Sequence, residues 1–495
     1  MTYVIGLDCG LTVTKAVVFD AAGSVISQAT VASPHATPRA HWVERDAEQL
    51  WAAACTAIQS AIAGAELGPA DISAVAVTGH GDGLYLLSAD GQPSRAAISS
   101  MDSRAQPIVE RWRAAGVHEK ALQLSGQVPF AASPASVLKW LTENEPEVLA
   151  RTRWAVSCKD YINARLTGVA ATDFTEASES FTNKATQRYD DDILNLYGLA
   201  DYGHLRPPIH ASDDIIGTVT TAAAELTGLS PLTPVVAGLH DVDASALGSG
   251  ALRPGQLVMV AGTYSINEIF AGAPVTDPDW FVRNAPVAGR WLNMAISPAS
   301  TTCLEWFLKT GALNYGTDAL ASGRSVYDHV SDAYASVRDD KDAPVFLPYL
   351  YGSPIDVSGD GAFLGLKGWH VQAHLVRAVL EGIVFNHRHH VDALRSRLTP
   401  TEIRLTGGAA RAPYWVQLFA DALNAPVLGV QTEQTGALGA ALCALSGIGI
   451  FPSLESAMDS ITTECVPYEP DPGRADRLET QYNRYRKYAL TLSSR

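Results

Sequence analysis

Two segments of this sequence constrain the fold more than any others. Tyr3 to Gly23, YVIGLDCGLTVTKAVVFDAAG, and Pro254 to Phe270, PGQLVMVAGTYSINEIF, each read as strand, glycine-containing turn, strand. A pattern that opens the chain and returns beyond Gly248 predicts two copies of one α/β fold. The length of 495 residues agrees, because a single hydrophobic core stops growing well before that size. The division is expected near Gly248 to Leu252, giving an N-terminal domain over 1–248 and a C-terminal domain over 249–495.

The first hairpin carries chemistry as well as shape. YVIGLD and KAVVFD are the strands, and CGLTVT is the tight tip. Gly6 and Gly10 permit close approach, while the hydroxyls of Thr12 and Thr14 and the amides between them form a cradle for a phosphate. Asp8, at the strand end, is placed to hold Mg²⁺ through water, and Lys15 adds a positive charge. A plain hairpin with a polar tip gives the same pattern. The chain contains no GxxxxGK[ST] loop.

A second chemical position is the corner AGLHDVDASALG, Ala237 to Gly248. TPVVAG reads as a buried strand, and ASALG as a helix whose small residues allow close packing. Asp241 stands between them, placed to accept a proton from a substrate hydroxyl as that oxygen attacks phosphorus. The competing reading is an N-cap by Asp241 or Asp243, with Asp243 expected to cap or to face solvent.

Charge and cysteine usage narrow the function classes. A net charge of −16 without a Lys/Arg run argues against a nucleic-acid surface. The six cysteines have neither CxxC nor zinc spacing, so a reducing, cytoplasmic setting without disulfides or structural metal is expected. The first apolar run is broken by Asp8 and lacks a basic start, which argues against a signal peptide. The longest uncharged stretch, between Glu433 and Glu455, holds Gln434, glycines and Pro452 and reads as buried helix and loop, not as a membrane span.

Between these positions lie two loops suited to a hydroxyl-rich ligand. In VAVTGHGDGLYLL, Gly79, Gly81 and Gly83 let a ligand approach backbone, and Asp82 supplies a carboxylate. In AAISSMDSRA, Asp102 supplies another. Taken singly, GHGDG also reads as a solvated turn, and Asp102 with Arg104 as a surface ion pair.

DCGLTVTKAVVFD resembles the opening phosphate loop of the FGGY family of carbohydrate kinases, within the actin and Hsp70 ATPase superfamily. Further stretches match in family order. HWVERDAEQLW resembles the Trp-x-Glu-x-Asp-Pro segment with Ala47 for proline, and GHGDG and MDSRA resemble the sugar-contacting loops. SPASVLKWLTENEP resembles the first family signature, departing from it at Ala132 and Val137. GAFLGLKGWHVQAHLVRAVLE, Gly361 to Glu381, fits the second signature throughout; its helix is architectural, with His374 a helix-start partner. SCKDYINARLTGVAATDFTEAS resembles the loop near the sugar mouth, with Asp173 and Glu176 as weaker site candidates. The NHRHH run, Asn386 to His390, reads as a solvated helix face instead of a metal site.

The resemblance implies two ribonuclease-H-like α/β domains flanking a deep catalytic cleft. In that arrangement Gly407 and Gly408 of RLTGGAA meet the adenosine of ATP, and Gly262 and Thr263 face the first phosphate loop. Asp241 is the base, Mg²⁺ is held by Asp8 and Asp241, and Gly81, Asp82, Asp102 and Asp241 meet the sugar. The loops look closest to the L-xylulose kinase branch, with erythritol kinases next, so a ketopentose is the expected substrate and a polyol, erythritol or glycerol, the alternative. A reading from another class is a sugar or nucleotide sensor that has lost turnover, to which Leu11 and Val137 lend slight support. The expected partners are a small sugar or polyol and ATP, without nucleic acid or membrane, and a homodimer is left open.

Overall fold

The computed structural model describes residues 1–310, 323–337, 340, 342–350, 352, 359–461 and 463–493. The chain forms two compact units. One gathers Met1–Pro254, Phe270–Asn293 and Gln434–Thr463, the other Gly255–Ile269, Met294–Glu433 and Glu464–Arg495.

In the first unit, β1 (Tyr3–Cys9), β2 (Val13–Asp20), β3 (Val25–Ala32), β4 (Ile72–Gly79), β5 (Ile215–Thr218) and β6 (Pro234–His240) make a mixed sheet in the order β5-β6-β4-β1-β2-β3. β1 is antiparallel to β2 and parallel to β4, and β4 is parallel to β6. The central strands are runs of Val, Ile, Leu and Ala because helices cover both of their faces. Helix α1 (Ala47–Gly64) begins where the Asp46 carboxylate accepts the amides of Glu48 and Gln49. Its Leu50, Ala54, Ile58 and Ala61 recur at helical spacing and are buried in one core with Ile5, Leu7, Val75 and Val77.

Among the other helices of this unit are α2 (Cys158–Thr167), α3 (Asp241–Gly248) and α4 (Thr435–Gly447). Glycines set how near α4 comes. A methyl group at Gly6 would lie 2.0 Å from the carbonyl oxygen of Ala437, one at Gly439 2.0 Å from that of Ala244, and one at Gly248 2.0 Å from that of Thr435. Backbone thus lies on backbone, as the small residues of ASALG predict. Although α4 is late in sequence, it packs on β1 and α3 and is gathered with the first compact unit.

The second unit repeats the topology. Among β7 (Gln256–Ala261), β8 (Ser265–Ala271), β9 (Trp291–Ser297), β10 (Glu402–Thr406), β11 (Val427–Val430) and β12 (Cys465–Tyr468), the order is β9-β8-β7-β10-β11-β12. As in the first sheet, an antiparallel hairpin (β7 with β8) is followed by parallel strands (β7 with β10, β10 with β11) and an antiparallel edge (β11 with β12). The echo between the two hairpins extends to six strands of this seven-stranded sheet. Among the described residues no helix is long and apolar enough to cross a membrane.

Candidate active site

The β1–β2 register pairs Asp8 with Lys15 and Cys9 with Thr14, so the turn is only Gly10 to Thr12. Thr14 is fully buried and faces the core. This corrects its placement in the phosphate cradle: strand alternation sends its side chain inward, and Thr12 is the exposed hydroxyl of the turn. Beneath the turn lies a residue the sequence reading missed. Buried Arg45 donates to the carbonyls of Gly10 (3.1 Å), Leu11 and Ser33 (3.2 Å), holding the turn's oxygens inward. Lys15 Nζ donates to Gln434 Oε1 at 2.7 Å, and Gln434 Nε2 to Gln28 Oε1 at 2.7 Å, which ties the lysine to the start of α4.

At the β6–α3 corner the cap position is His240, whose side chain makes no capping bond, and Asp241 is the first helical residue. The Asp241 side chain keeps 37 % of its exposure. Burial and the neighbouring charges of Asp8 and, more weakly, Asp82 push its pKa up to about 7, against the pull of the Val242 amide and Arg283. A carboxyl near neutrality with an open side has the properties of a general base. Asp243 does not cap or face solvent as expected. It is fully buried behind the corner, its oxygens have no hydrogen-bond partner, and burial raises its pKa well above the usual range.

The glycine-rich loop holds Asp82 in the left-handed region at φ 56°, between Gly81 and Gly83. Its amide donates to Glu179 Oε1 at 2.6 Å. Its carboxylate meets Arg283 Nη2 at 3.0 and 3.1 Å. Gly81 makes room for neighbouring side chains: a methyl there would lie 2.2 Å from both Glu179 Oε1 and His240 Nε2. Burial and the adjacent Asp82 charge push the Glu179 carboxyl up to about 8. Neither Glu179 nor Arg283 was marked by the sequence; Arg283 comes from the strand Phe281–Asn284, far along the chain but in the same unit.

Asp102 is placed differently from the expectation that its carboxylate meets sugar. It is buried and takes Arg104 Nε at 3.0 Å, Arg104 Nη2 at 2.8 Å and the Val43 amide at 2.7 Å. The Arg104 guanidinium lies over the Trp42 ring at 3.9 Å, so this is a buried structural pair and not a surface one. Asp173 and Glu176, expected on an exposed loop, are also buried. Asp173 caps the short helix Phe174–Ala177 and lies 3.1 Å from Lys159 Nζ, while burial and Glu179 raise the Glu176 pKa well above its usual value.

In the second unit, Gly262 and Thr263 form the β7–β8 turn, tethered by Thr301, whose amide (2.9 Å) and hydroxyl (2.7 Å) both donate to the Gly262 carbonyl. Gly407 follows β10 at φ 86°, and a methyl there would lie 2.7 Å from the carbonyl oxygen of Ala261, so the two glycine turns lie side by side within this unit. Gly408 has only that same oxygen near its would-be methyl, at 3.9 Å, and Gly262 has nothing within 4 Å. Backbone at both positions is open to a ligand. His374 accepts the Val371 amide at 3.1 Å, a helix-start partner as expected. The NHRHH run is not a solvated face: Asn386, His387 and His390 are buried. His387 bonds Asn267 Oδ1 at 2.8 Å and Ser300 Oγ at 2.9 Å, and burial lowers its pKa to about 3.

Among the described residues no group of three or more His, Cys, Asp or Glu side chains is arranged to hold a metal ion. The donor set on offer is the pair Asp8 and Asp241. Burial raises the Asp8 pKa against the pull of Lys15, and Gly436 leaves room beside its carboxylate. Two hard oxygens suit Mg²⁺ that draws the rest of its shell from phosphate and water.

Comparison with known proteins places this arrangement. Residues 3–248 match the N-terminal domain of the FGGY family of carbohydrate kinases, and residues 257–448 match its C-terminal domain. An L-xylulose/3-keto-L-gulonate kinase of Escherichia coli is 32% identical over 99% of this chain and 97% of its own. An erythritol kinase of Brucella abortus is 30% identical over 99% and 96%. The crystal structure of a xylulose kinase from Rhodospirillum rubrum superposes with a TM-score of 0.88 at 28% identity, covering 99% of each chain. With two α/β units, a shared sheet topology and both family domains matched in order, the chain belongs to the FGGY family of carbohydrate kinases.

Proposed function

We propose that the protein phosphorylates a terminal hydroxyl of a xylulose-type ketopentose at the expense of ATP, with Asp241 as general base. The observation that carries this reading is the state of Asp241: open on one side, at the head of α3, with a pKa of about 7. The carboxylate takes the hydroxyl proton as that oxygen bonds to the γ-phosphorus and the bond to the ADP oxygen breaks. Asp82 accepts a hydrogen bond from a second hydroxyl and fixes which one is presented. The turn Gly10 to Thr12, with Lys15 anchored by Gln434, binds phosphate oxygens. Gly262, Thr263, Gly407 and Gly408 take the nucleotide against bare backbone. Mg²⁺, held at Asp8 and Asp241, supplies neutralisation of phosphate charge when bound.

The similarity to the L-xylulose/3-keto-L-gulonate kinase and to the xylulose kinase favours a ketopentose, and the 30% identity to the erythritol kinase keeps a tetritol as the second reading. ADP release measured across ketopentoses, tetritols and glycerol tests both. Release with a ketopentose alone supports the first, and release only with erythritol supports the second. ATP binding without sugar-dependent release by any of them would leave a sensor.

A further inference from the structure

Asp82 is fixed from both ends. Its backbone amide is held by Glu179 at 2.6 Å in a left-handed conformation, and its carboxylate is held by a guanidinium at 3.0 Å. Arg283 itself is immobilised. Only 1% of its side chain is exposed, Nη1 lies 3.5 Å from Glu179 Oε1, and Phe281 lies under the guanidinium at 5.5 Å. The strand bearing it is pinned by Asn284, whose amide donates to Ser178 Oγ at 3.1 Å and whose side chain donates to the Phe174 carbonyl at 3.0 Å. Asp82 keeps 15% of its side-chain exposure. With Asp102 saturated by Arg104 and Val43, Asp82 is the loop carboxylate left to accept sugar hydroxyls.

We infer that Arg283 is the positioning residue for Asp82, and that this pair makes the site select uncharged ketoses and polyols over sugar acids. The inference rests on the sugar-kinase reading of the same loop. An ionised carboxylate with one side held by arginine offers its remaining lone pairs to hydroxyl hydrogens. A carboxylate on the sugar is refused there. Asp82 carries the negative charge at this point, and the guanidinium beside it is already engaged with that carboxylate through Nη2. An incoming anion would be desolvated beside like charge, a juxtaposition that costs several factors of ten in affinity. The Escherichia coli relative is named for a neutral ketose and for a keto acid. This chain is arranged for the first.

The test uses the full chain, with L-xylulose and 3-keto-L-gulonate as probes. Binding is read by calorimetry and turnover by ADP release, so discrimination is scored even where turnover is lost. The parent should prefer the ketose by at least about a hundredfold. Asp82→Asn should narrow that preference at least about tenfold, and Arg283→Gln should raise KM for the ketose more than it lowers kcat. Since Arg283→Gln strands a buried carboxylate and risks misfolding, the double variant Arg283→Gln/Asp82→Asn removes both charges together; it too should show the narrowed preference. A parent that binds the acid as well as the ketose, or binds neither, overturns the inference. So does a preference unchanged in Asp82→Asn and in the double variant. A parent that prefers the ketose in binding but does not turn it over supports the inference and strikes the Asp241 reading alone.

Discussion

His240 Nε2 lies 3.3 Å from Asp241 Oδ1, and His240 Nδ1 lies 3.5 Å from Asp243 Oδ2, so one buried imidazole stands between the two acids of the corner. Burial, Arg283 and His80 lower the His240 pKa well below its usual value, which keeps the ring neutral. Its two nitrogens therefore differ: one carries the proton and the other a lone pair. The corner is a layered arrangement in which Asp241 is open, His240 is closed beneath it and Asp243 is sealed behind.

Asp241→Asn should lower turnover by at least about a hundredfold while sparing ATP binding. The same carboxyl sets a pH dependence. A base acts when deprotonated, so kcat/KM should rise with pH up to about 7 and level off above it. A parent profile that is flat between pH 5.5 and 8 would remove Asp241 from the base role. Melting temperature in the variant should not fall, because an amide replaces a carboxyl whose ionised form is disfavoured by its surroundings.

Asp243→Asn should leave turnover within several-fold of the parent, since the amide matches the shape of an acid sealed behind the corner whose charge burial disfavours. Asp243→Ala removes polar volume from a sealed site and should cost roughly 1–3 kcal/mol in denaturant unfolding. If Asp243→Asn abolished activity and Asp241→Asn did not, the roles of the two acids would be exchanged.

Glu179 predicts a fall in stability on the alkaline side. Its folded pKa of about 8 is raised above the ordinary value of 4.5, so its contribution is full at low pH and is lost as pH rises through 8. Buried His80 and His387, both lowered to about 3, act in the opposite sense. Their contribution is full above the ordinary value of 6.5 and is lost as pH falls toward 3. Above pH 6.5 the carboxyls alone decide, and the melting temperature should drop between pH 6.5 and 8.5. Glu179→Gln should flatten that drop while keeping an acceptor for the Asp82 amide; an unchanged slope would contradict the assignment.

Gly439→Ala places a methyl 2.0 Å from the Ala244 carbonyl oxygen, a backbone atom that cannot swing aside. The expected loss is about 1–3 kcal/mol or more, read from urea midpoints, with reduced kcat because Ala244 lies one turn from Asp241. Near-parental stability would mean that α3 and α4 slide apart freely.

Gly408→Ala and Gly262→Ala meet open space within the protein, so their melting temperatures should match the parent. If the nucleotide lies against this backbone, KM for ATP should rise at least about tenfold with KM for sugar little changed, the pattern of lost ground-state binding. Unaltered ATP kinetics in both variants would move the nucleotide elsewhere.

The features legible along the chain are local or periodic. The Val- and Ile-rich runs of β1, β4 and β6, the helical spacing of Leu50, Ala54 and Ile58, and the small residues of α3 each dictate an element through short-range sterics and burial. The glycine turns at Gly10 and Gly407 and the corner at Asp241 were readable for the same reason. Tertiary structure alone decided which polar groups stay open. Asp82, Asp102 and Asp243 are the same residue type in similar polar contexts, yet Arg104 and Val43 saturate one, the fold seals another away from solvent, and of the three only Asp82 keeps an exposed side. The residues that settle this, Arg283, Glu179 and Arg45, come from distant segments, and no spacing along the chain encodes which guanidinium will meet which carboxylate. Likewise α4 joined the first unit because glycines at 6, 248 and 439 let backbones touch, a match of surfaces that exists only once the chain has folded.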